Sequence, residues 1–320
     1  MFQFSDGVKK WAILVPTYPL PAKLRVSLRR RYLAQLEMAK AERARLIIIG
    51  HPKSGNTWLK VMLSRLYQVR HGLAANRLIN TDELARKHPS IPRLAASNGY
   101  YSYEGVIGDA LAPDAPDNGL RHKPVLFIAR NPLDIAVSWY FQFTLRQSAA
   151  KQELINHFID HPIDRRTVEM WDFVRHSDIG LPSLIEFLNM WERNVNALDR
   201  GATIRYEDLR ADPGSVLKRV VTLMDDDFSD EEIQEAVEFG SFDNLRQLES
   251  KGFFRQGGMK LRNPNDPNTF KVRRGKVGGY RDYFTEEQAA ELEALVRERL
   301  SPTLGYSPAS AGSEPVPAQG

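Results

Sequence analysis

The chain of 320 residues reads as an α/β protein with a central parallel sheet flanked by helices, and three runs of residues carry that reading. Leu46-Ile47-Ile48-Ile49, closed by Gly50, is unbroken and apolar, the pattern of a short strand buried on both faces. Val125-Leu126-Phe127-Ile128-Ala129 repeats the pattern, and Ala202-Thr203-Ile204-Arg205-Tyr206 is a shorter, mixed version of it. Helical periodicities separate and follow these runs, and strands alternating with helices predict parallel pairing.

In chain order, residues 1–45 form a basic, helix-prone extension in which Leu24, Leu28, Leu33 and Leu36 lie among the charges. One reading is a solvated helix packed on the domain. The other is a helix lying on anionic lipid through residues 23–45. The domain proper covers residues 46–306. Its first helix runs from Thr57 to Val69, and a later one places Leu184, Leu188, Trp191, Val195 and Leu198 on one face. Asp212 followed by Pro213 is a helix start leading into Val216, Leu217, Val220 and Met224. Ser229 with Glu232 and Thr285 with Gln288 each fit the reciprocal cap of a helix N-terminus. Residues 307–320, rich in Ser, Pro, Ala and Gly, read as a disordered tail.

Composition excludes several classes. With 42% hydrophobic and 26% charged residues the chain is neither fibrous nor wholly disordered. Its net charge of +4 is too mild to imply nucleic acid, and no nucleic-acid partner is expected, although an anionic ligand is accommodated. No cysteine is present, which rules out disulfides, thiolate catalysis and cysteine-based metal sites. The apolar stretch Trp11–Leu20 is too short to span a bilayer, is broken by Pro16 and Pro19, and is followed by basic residues, a poor fit to a secretory signal. The expected location is cytoplasmic, with the inner membrane face as the alternative that the lipid reading of residues 23–45 implies. His157 and His161 have the spacing of two metal ligands but no evident third, and Asp225-Asp226-Asp227 reads as a solvated loop, so no metal site is expected.

The most informative segment is Gly50-His51-Pro52-Lys53-Ser54-Gly55-Asn56-Thr57-Trp58, between the first strand and the first helix. Strand, glycine-containing turn and helix together aim backbone amides at one anion. Gly50 and Gly55 have the spacing of the loop G-x-x-x-x-G-K-[ST], but Asn56 stands where the lysine belongs and Lys53 comes three residues earlier. The second strand runs into Arg130 where a metal-organising Asp would be needed. Lys53, Arg130 and backbone amides can neutralise an anion without a metal, which argues against the rival reading of a metal-dependent nucleotide kinase or triphosphatase.

Pro52-Lys53-Ser54-Gly55-Asn56-Thr57-Trp58 resembles the 5′-phosphosulfate loop of the sulfotransferases that use 3′-phosphoadenosine 5′-phosphosulfate (PAPS). Arg130-Asn131-Pro132-Leu133-Asp134-Ile135-Ala136-Val137-Ser138 resembles that family's 3′-phosphate motif. Tyr206-Glu207-Asp208, Ser241-Phe242 and Arg273-Arg274-Gly275-Lys276-Val277-Gly278 are similar to three further family segments, in the family's order, so the resemblance spans residues 46–300. It implies a P-loop-like sulfotransferase fold with PAPS as sulfuryl donor and no required metal. Lys53 would stabilise the departing phosphate, and the amides of Ser54, Gly55, Asn56, Thr57 and Trp58 with the Thr57 hydroxyl would hold the 5′-phosphate. Arg130, Ser138 and Arg274, with the Gly275 backbone, would grip the 3′-phosphate, Arg273 would join the cofactor-binding set, and Trp58, Tyr206 and Phe242 would line the adenine.

On the acceptor side the chain departs from the family. Asn98 occupies the position where much of the family has a histidine base, and an amide cannot accept a proton at neutral pH. Glu104, Asp109 and His122 are nearby groups that could take over, with Glu104 ranked ahead of His122, which lies just before the Val125 strand. An acceptor that is already partly ionised is another reading, and a PAPS-binding protein with weak or no catalysis a third. Tyr100, Tyr101, Tyr103, Trp139, Tyr140, Phe141, Phe143, Phe253 and Phe254 lie between the motifs, which favours a small apolar or aromatic hydroxyl acceptor. The family's usual dimer motif is matched between Arg281 and Ala290 only at Thr285, so that dimer is not expected.

Overall fold

A computed structural model describes residues 11–76, 78, 85, 88–98, 106–157, 159–254, 259, 270–271 and 275–306. Glu104, Arg273, Arg274 and the proposed tail 307–320 lie outside the described residues, as do Tyr100, Tyr101 and Tyr103.

The elements follow one another as α1 (Ala22–Arg43), β1 (Leu46–Ile49), α2 (Asn56–Arg70), β2 (Leu94–Ser97), α3 (Val106–Leu111), β3 (Val125–Ala129), α4 (Pro132–Phe141), α5 (Ala149–Asn156), α6 (Met170–Arg175), α7 (Leu181–Asn196), β4 (Gly201–Arg205), α8 (Tyr206–Ala211), α9 (Pro213–Leu223), α10 (Asp230–Phe239), α11 (Phe242–Ser250) and α12 (Glu286–Arg299). A π-helical turn, Gln142–Arg146, extends α4. The four strands form one parallel sheet in the order β2-β1-β3-β4. In register, Ile49 faces Ser97 on one side and Phe127 on the other, and Ala129 faces Arg205, so the carboxyl ends of all four strands share one edge.

Alternation within β1 and β3 builds the two halves of the core. Ile47, Ile49, Val125 and Phe127 pack with residues of α4, α7 and α12, whereas Leu46, Ile48, Leu126 and Ile128 pack with residues of α2, α9 and α10. Both faces of these strands are therefore covered, as their unbroken apolar runs require. The expected starts hold as well. The Asp212 side chain accepts from the Ser215 amide ahead of α9, and both reciprocal caps form, Ser229 with Glu232 and Thr285 with Gln288. Each such cap contributes about 1 kcal/mol.

The strand β2 is absent from the sequence-based expectation. Leu94-Ala95-Ala96-Ser97 is short and half alanine, a poor strand former, and pairing along β1 is what makes it extended. On α1, Val26, Leu33 and Ala41 are buried, so one face packs on the domain for the length of the helix.

Candidate active site

In an open parallel sheet, ligands bind beyond the carboxyl ends of the strands, where neighbouring connections leave in opposite directions. The chain passes from β1 to β2 on one side and from β3 to β4 on the other, which puts that crevice between the ends of β1 and β3. The loop 50–55 leaves β1 there, and Arg130 follows β3.

Lys53 takes the left-handed backbone conformation, φ 85°, which costs an L-residue about 1–2 kcal/mol. Its surroundings hold it there. Arg130 Nη1 donates to the Lys53 carbonyl at 2.9 Å, and the Ser54 amide donates to the His51 carbonyl at 3.0 Å. Gly55, at φ 108°, precedes α2 and lies so close to Tyr206 that a Cβ would stand 2.8 Å from the ring. The Asn56 side chain turns back to donate to the Gly50 carbonyl at 3.0 Å, so it braces the loop. Of the amides expected to hold a phosphate, those of Ser54 and Trp58 are engaged within the loop, the latter with the Gly55 carbonyl at 2.9 Å. Those of Gly55, Asn56 and Thr57 have no backbone partner among the described residues and open at the N-terminus of a 15-residue helix. Ser54 Oγ and Arg130 Nε are buried donors without a hydrogen-bond partner among the described residues, which suits an anion.

The guanidinium of Arg130 lies 4.2 Å over the Tyr206 ring, and Trp58 meets the same ring edge-on at 5.8 Å. Trp58 Nε1 also donates to the Gly240 carbonyl at 2.7 Å, fixing the turn that precedes Phe242. Against Phe242 lies Gly275, at φ 62°, where a Cβ would come within 2.7 Å of the ring. Ser138 is half-buried on α4. The nearer predicted residues thus gather at one crevice, with Phe242 and Gly275 forming a joined pair.

Three anchoring groups escaped the sequence reading. Asp134, buried in the first turn of α4, accepts from the amides of Gly278 at 2.8 Å and Tyr280 at 3.1 Å, tying the glycine loop to the helix that follows Arg130. Glu207 accepts from the Asn131 amide at 3.1 Å and the Tyr306 hydroxyl at 2.6 Å, joining the ends of β3 and β4. His51 is buried between Trp139 and Phe187, and its Nδ1–H donates to the Pro52 carbonyl at 2.7 Å. Burial pushes this imidazole down to about 3, so it is neutral at pH 7. Asp134 and Glu207 stand inside the recognised motifs, but nothing in the local pattern shows what they bind.

Asn98 follows β2 beside the loop, where the Gly50 amide donates to the Ser97 carbonyl at 3.2 Å. His122 precedes β3 at the opposite edge, exposed between Asp199 at 2.7 Å and Asp117 at 3.4 Å. Of the aromatic residues expected around the acceptor, Trp139, Phe143 and Phe254 are core, because burial claims them, whereas Tyr140, Phe141 and Phe253 are half-buried. Asp225 pairs with Arg200 and Asp226 with Arg70, so the acidic run serves ion pairs. Among the described residues no group of three or more His, Asp or Glu could hold a metal ion.

An α/β sheet with open amides and a buried arginine donor between β1 and β3 is suited to an anionic group. The sulfotransferase domain model matches residues 43–303. Cytosolic sulfotransferase 16 of Arabidopsis thaliana is 26% identical over 276 residues, covering 80% of this chain and 76% of that protein. The amine sulfotransferase of Oryctolagus cuniculus is 22% identical, covering 80% of each. Retinol dehydratase, solved in complex with androsterone and the inactive cofactor PAP, matches the fold at a TM-score of 0.54 with 18% identity, covering 79% of this chain and 80% of that one. The chain belongs to the sulfotransferase domain family, whose class of reaction is sulfuryl transfer.

Proposed function

We propose that the protein transfers the sulfuryl group of PAPS to a hydroxyl of a small, apolar or aromatic acceptor and releases adenosine 3′,5′-bisphosphate (PAP). The observation that carries this reading is the left-handed Lys53, locked by Arg130 beside amides that open on the same crevice. Strain held in this way between a lysine and a phosphate cradle suits a group that must meet charge as it develops.

PAPS supplies the activated sulfuryl group. The amides of Gly55, Asn56 and Thr57, with Ser54 Oγ, would hold its 5′-phosphate. Lys53 would offset the charge on the departing phosphate. Arg130, Ser138 and the Gly275 backbone, together with Arg273 and Arg274, would hold the 3′-phosphate, the group that separates this donor from ATP. Trp58, Tyr206 and Phe242 would flank the adenine. No metal is required by this set, because Lys53 and Arg130 supply the positive charge. Glu104 takes the acceptor proton in this reading, since Asn98 cannot. The half-buried Tyr140, Phe141 and Phe253 fit an apolar acceptor, and androsterone and retinol, bound by two structural neighbours, are of that class. The unit responsible is residues 46–306.

Calorimetric titration with PAP, with and without EDTA, beside Mg²⁺–ATP tests the donor half. PAP binding that ignores EDTA, with ATP much weaker, is the expected result, and binding of Mg²⁺–ATP alone would overturn it. Turnover of labelled PAPS across a panel of phenols and apolar alcohols tests the acceptor half. Unchanged turnover in Glu104→Gln would remove Glu104 as the base.

A further inference from the structure

Among the described residues, eight large hydrophobic side chains stand exposed, and five of them fall between residues 11 and 28. They are Trp11 (66% exposed), Val15, Tyr18 (78%), Leu24 and Leu28. Scattered single apolar side chains are ordinary on a protein surface, whereas five within eighteen residues of chain point to a binding surface.

The cluster is held by a latch. Arg29, which is buried, donates to Thr17 Oγ1 at 2.8 Å, to the Leu14 carbonyl at 2.9 Å and to Glu153 of α5 at 2.9 Å. Arg25 donates to the Tyr18 and Leu20 carbonyls at 3.1 and 2.8 Å and also pairs with Glu153. Two arginines thus bind the 11–20 segment to α1 and both to the domain. With the segment so held, Trp11, Val15 and Tyr18 stand exposed. Along α1 the inner face buries Val26, Leu33 and Ala41, while Leu24 and Leu28, one turn apart, are exposed beside Lys23 and Arg31.

Charge identifies the occupant. Residues 11–31 hold five Lys and Arg and no Asp or Glu; Arg25 and Arg29 are engaged by Glu153, which leaves Lys23 and Arg31 exposed beside the apolar side chains. Two copies of such a face would repel each other, and an anionic surface would attract it. Tryptophan and tyrosine beside leucine and basic residues are the side chains that settle at a bilayer interface. No described helix is long and apolar enough to cross a membrane, so the contact would be superficial. Residues 1–42 also precede the span matched by the family model, so the feature is carried by the extension.

The geometry points to a lipid-docking face formed by residues 11–31, seated on a bilayer rich in anionic headgroups. This narrows the expectation for residues 23–45, because Leu33 and Ala41 in the second half of α1 belong to the packed face.

Co-sedimentation of the full chain with phosphatidylcholine vesicles, with and without phosphatidylglycerol, reads docking independently of PAPS and of turnover. Binding to the anionic vesicles that falls with added salt is expected. The triple variant Trp11→Ser, Leu24→Ser, Leu28→Ser should lose about a hundredfold in partitioning while its melting temperature stays near that of the parent, since these side chains are already in water. Charge reversal, Lys23→Glu with Arg31→Glu, should weaken binding by about tenfold or more. Absence of binding, or equal binding to neutral vesicles, overturns the proposal. So does a parent chain that sediments as a dimer and becomes monomeric in the triple variant, because the face would then be a self-interface.

Discussion

The carboxyl edge of the sheet has two unlike halves. At the ends of β1, β3 and β4 every segment is tied to another: Arg130 to Lys53 and Tyr206, Asn131 to Glu207, Glu207 to Tyr306, Asp134 to Gly278 and Tyr280. At the end of β2 the Ser97 carbonyl accepts from the Gly50 amide at 3.2 Å and Asn98 follows, an amide that brings no charge and no base to the edge. The braced half carries the residues proposed to hold the donor. The other half carries Asn98, on the side proposed for the acceptor. A rigid recognition frame with variable loops beside it is how one fold serves many substrates.

Substitutions on the braced half test that contrast. Lys53→Met should lower turnover by about 10²–10³-fold while PAP affinity changes only a few-fold, because charge on the departing phosphate appears in the transition state. A comparable loss in PAP affinity would instead make Lys53 a ground-state binder. Arg130→Lys removes the fork and the flat surface over Tyr206 and should weaken PAP by about 10–100-fold in calorimetry.

Asp134→Asn tests positioning. The amide keeps one acceptor for the two loop amides, so PAP should weaken by about tenfold, roughly 1–2 kcal/mol, while KM for the acceptor stays unchanged. Equal losses on both substrates would mean that the fold, and not the donor loop, had been disturbed.

The smallest effect concerns His51. Its folded-state pKa of about 3 lies below the ordinary 6.5, so on acidification the unfolded chain takes up a proton that the folded chain refuses. Stability is full above pH 6.5 and falls as pH drops towards 3, by about 1 kcal/mol over the first pH unit. His51→Gln, which retains a donor for the Pro52 carbonyl, should flatten that acid limb in melts recorded against pH. An unchanged limb would assign it to other groups.

The features readable without the fold are local. The apolar runs of β1 and β3, the Asp212-Pro213 start and the caps at Ser229 and Thr285 depend on neighbours within a few residues, and all are legible in order. The strand–loop–helix order that puts Lys53 at a crevice is equally local. Tertiary structure decided the rest. Only pairing with β1 makes the alanines of β2 a strand, and only the packing of Trp139 and Phe187 turns His51 into a neutral brace. Asp134 sits in plain view in its motif, yet its partners lie more than 140 residues away. Trp139 and Phe143 become core while Tyr140 and Phe141 remain half-buried, because helix rotation against the sheet, and not aromatic character, chooses the buried face. A short pattern reports which bonds a segment can make. Which partner takes them up depends on chain closure over long separations, and that is decided when the sheet and its helices pack.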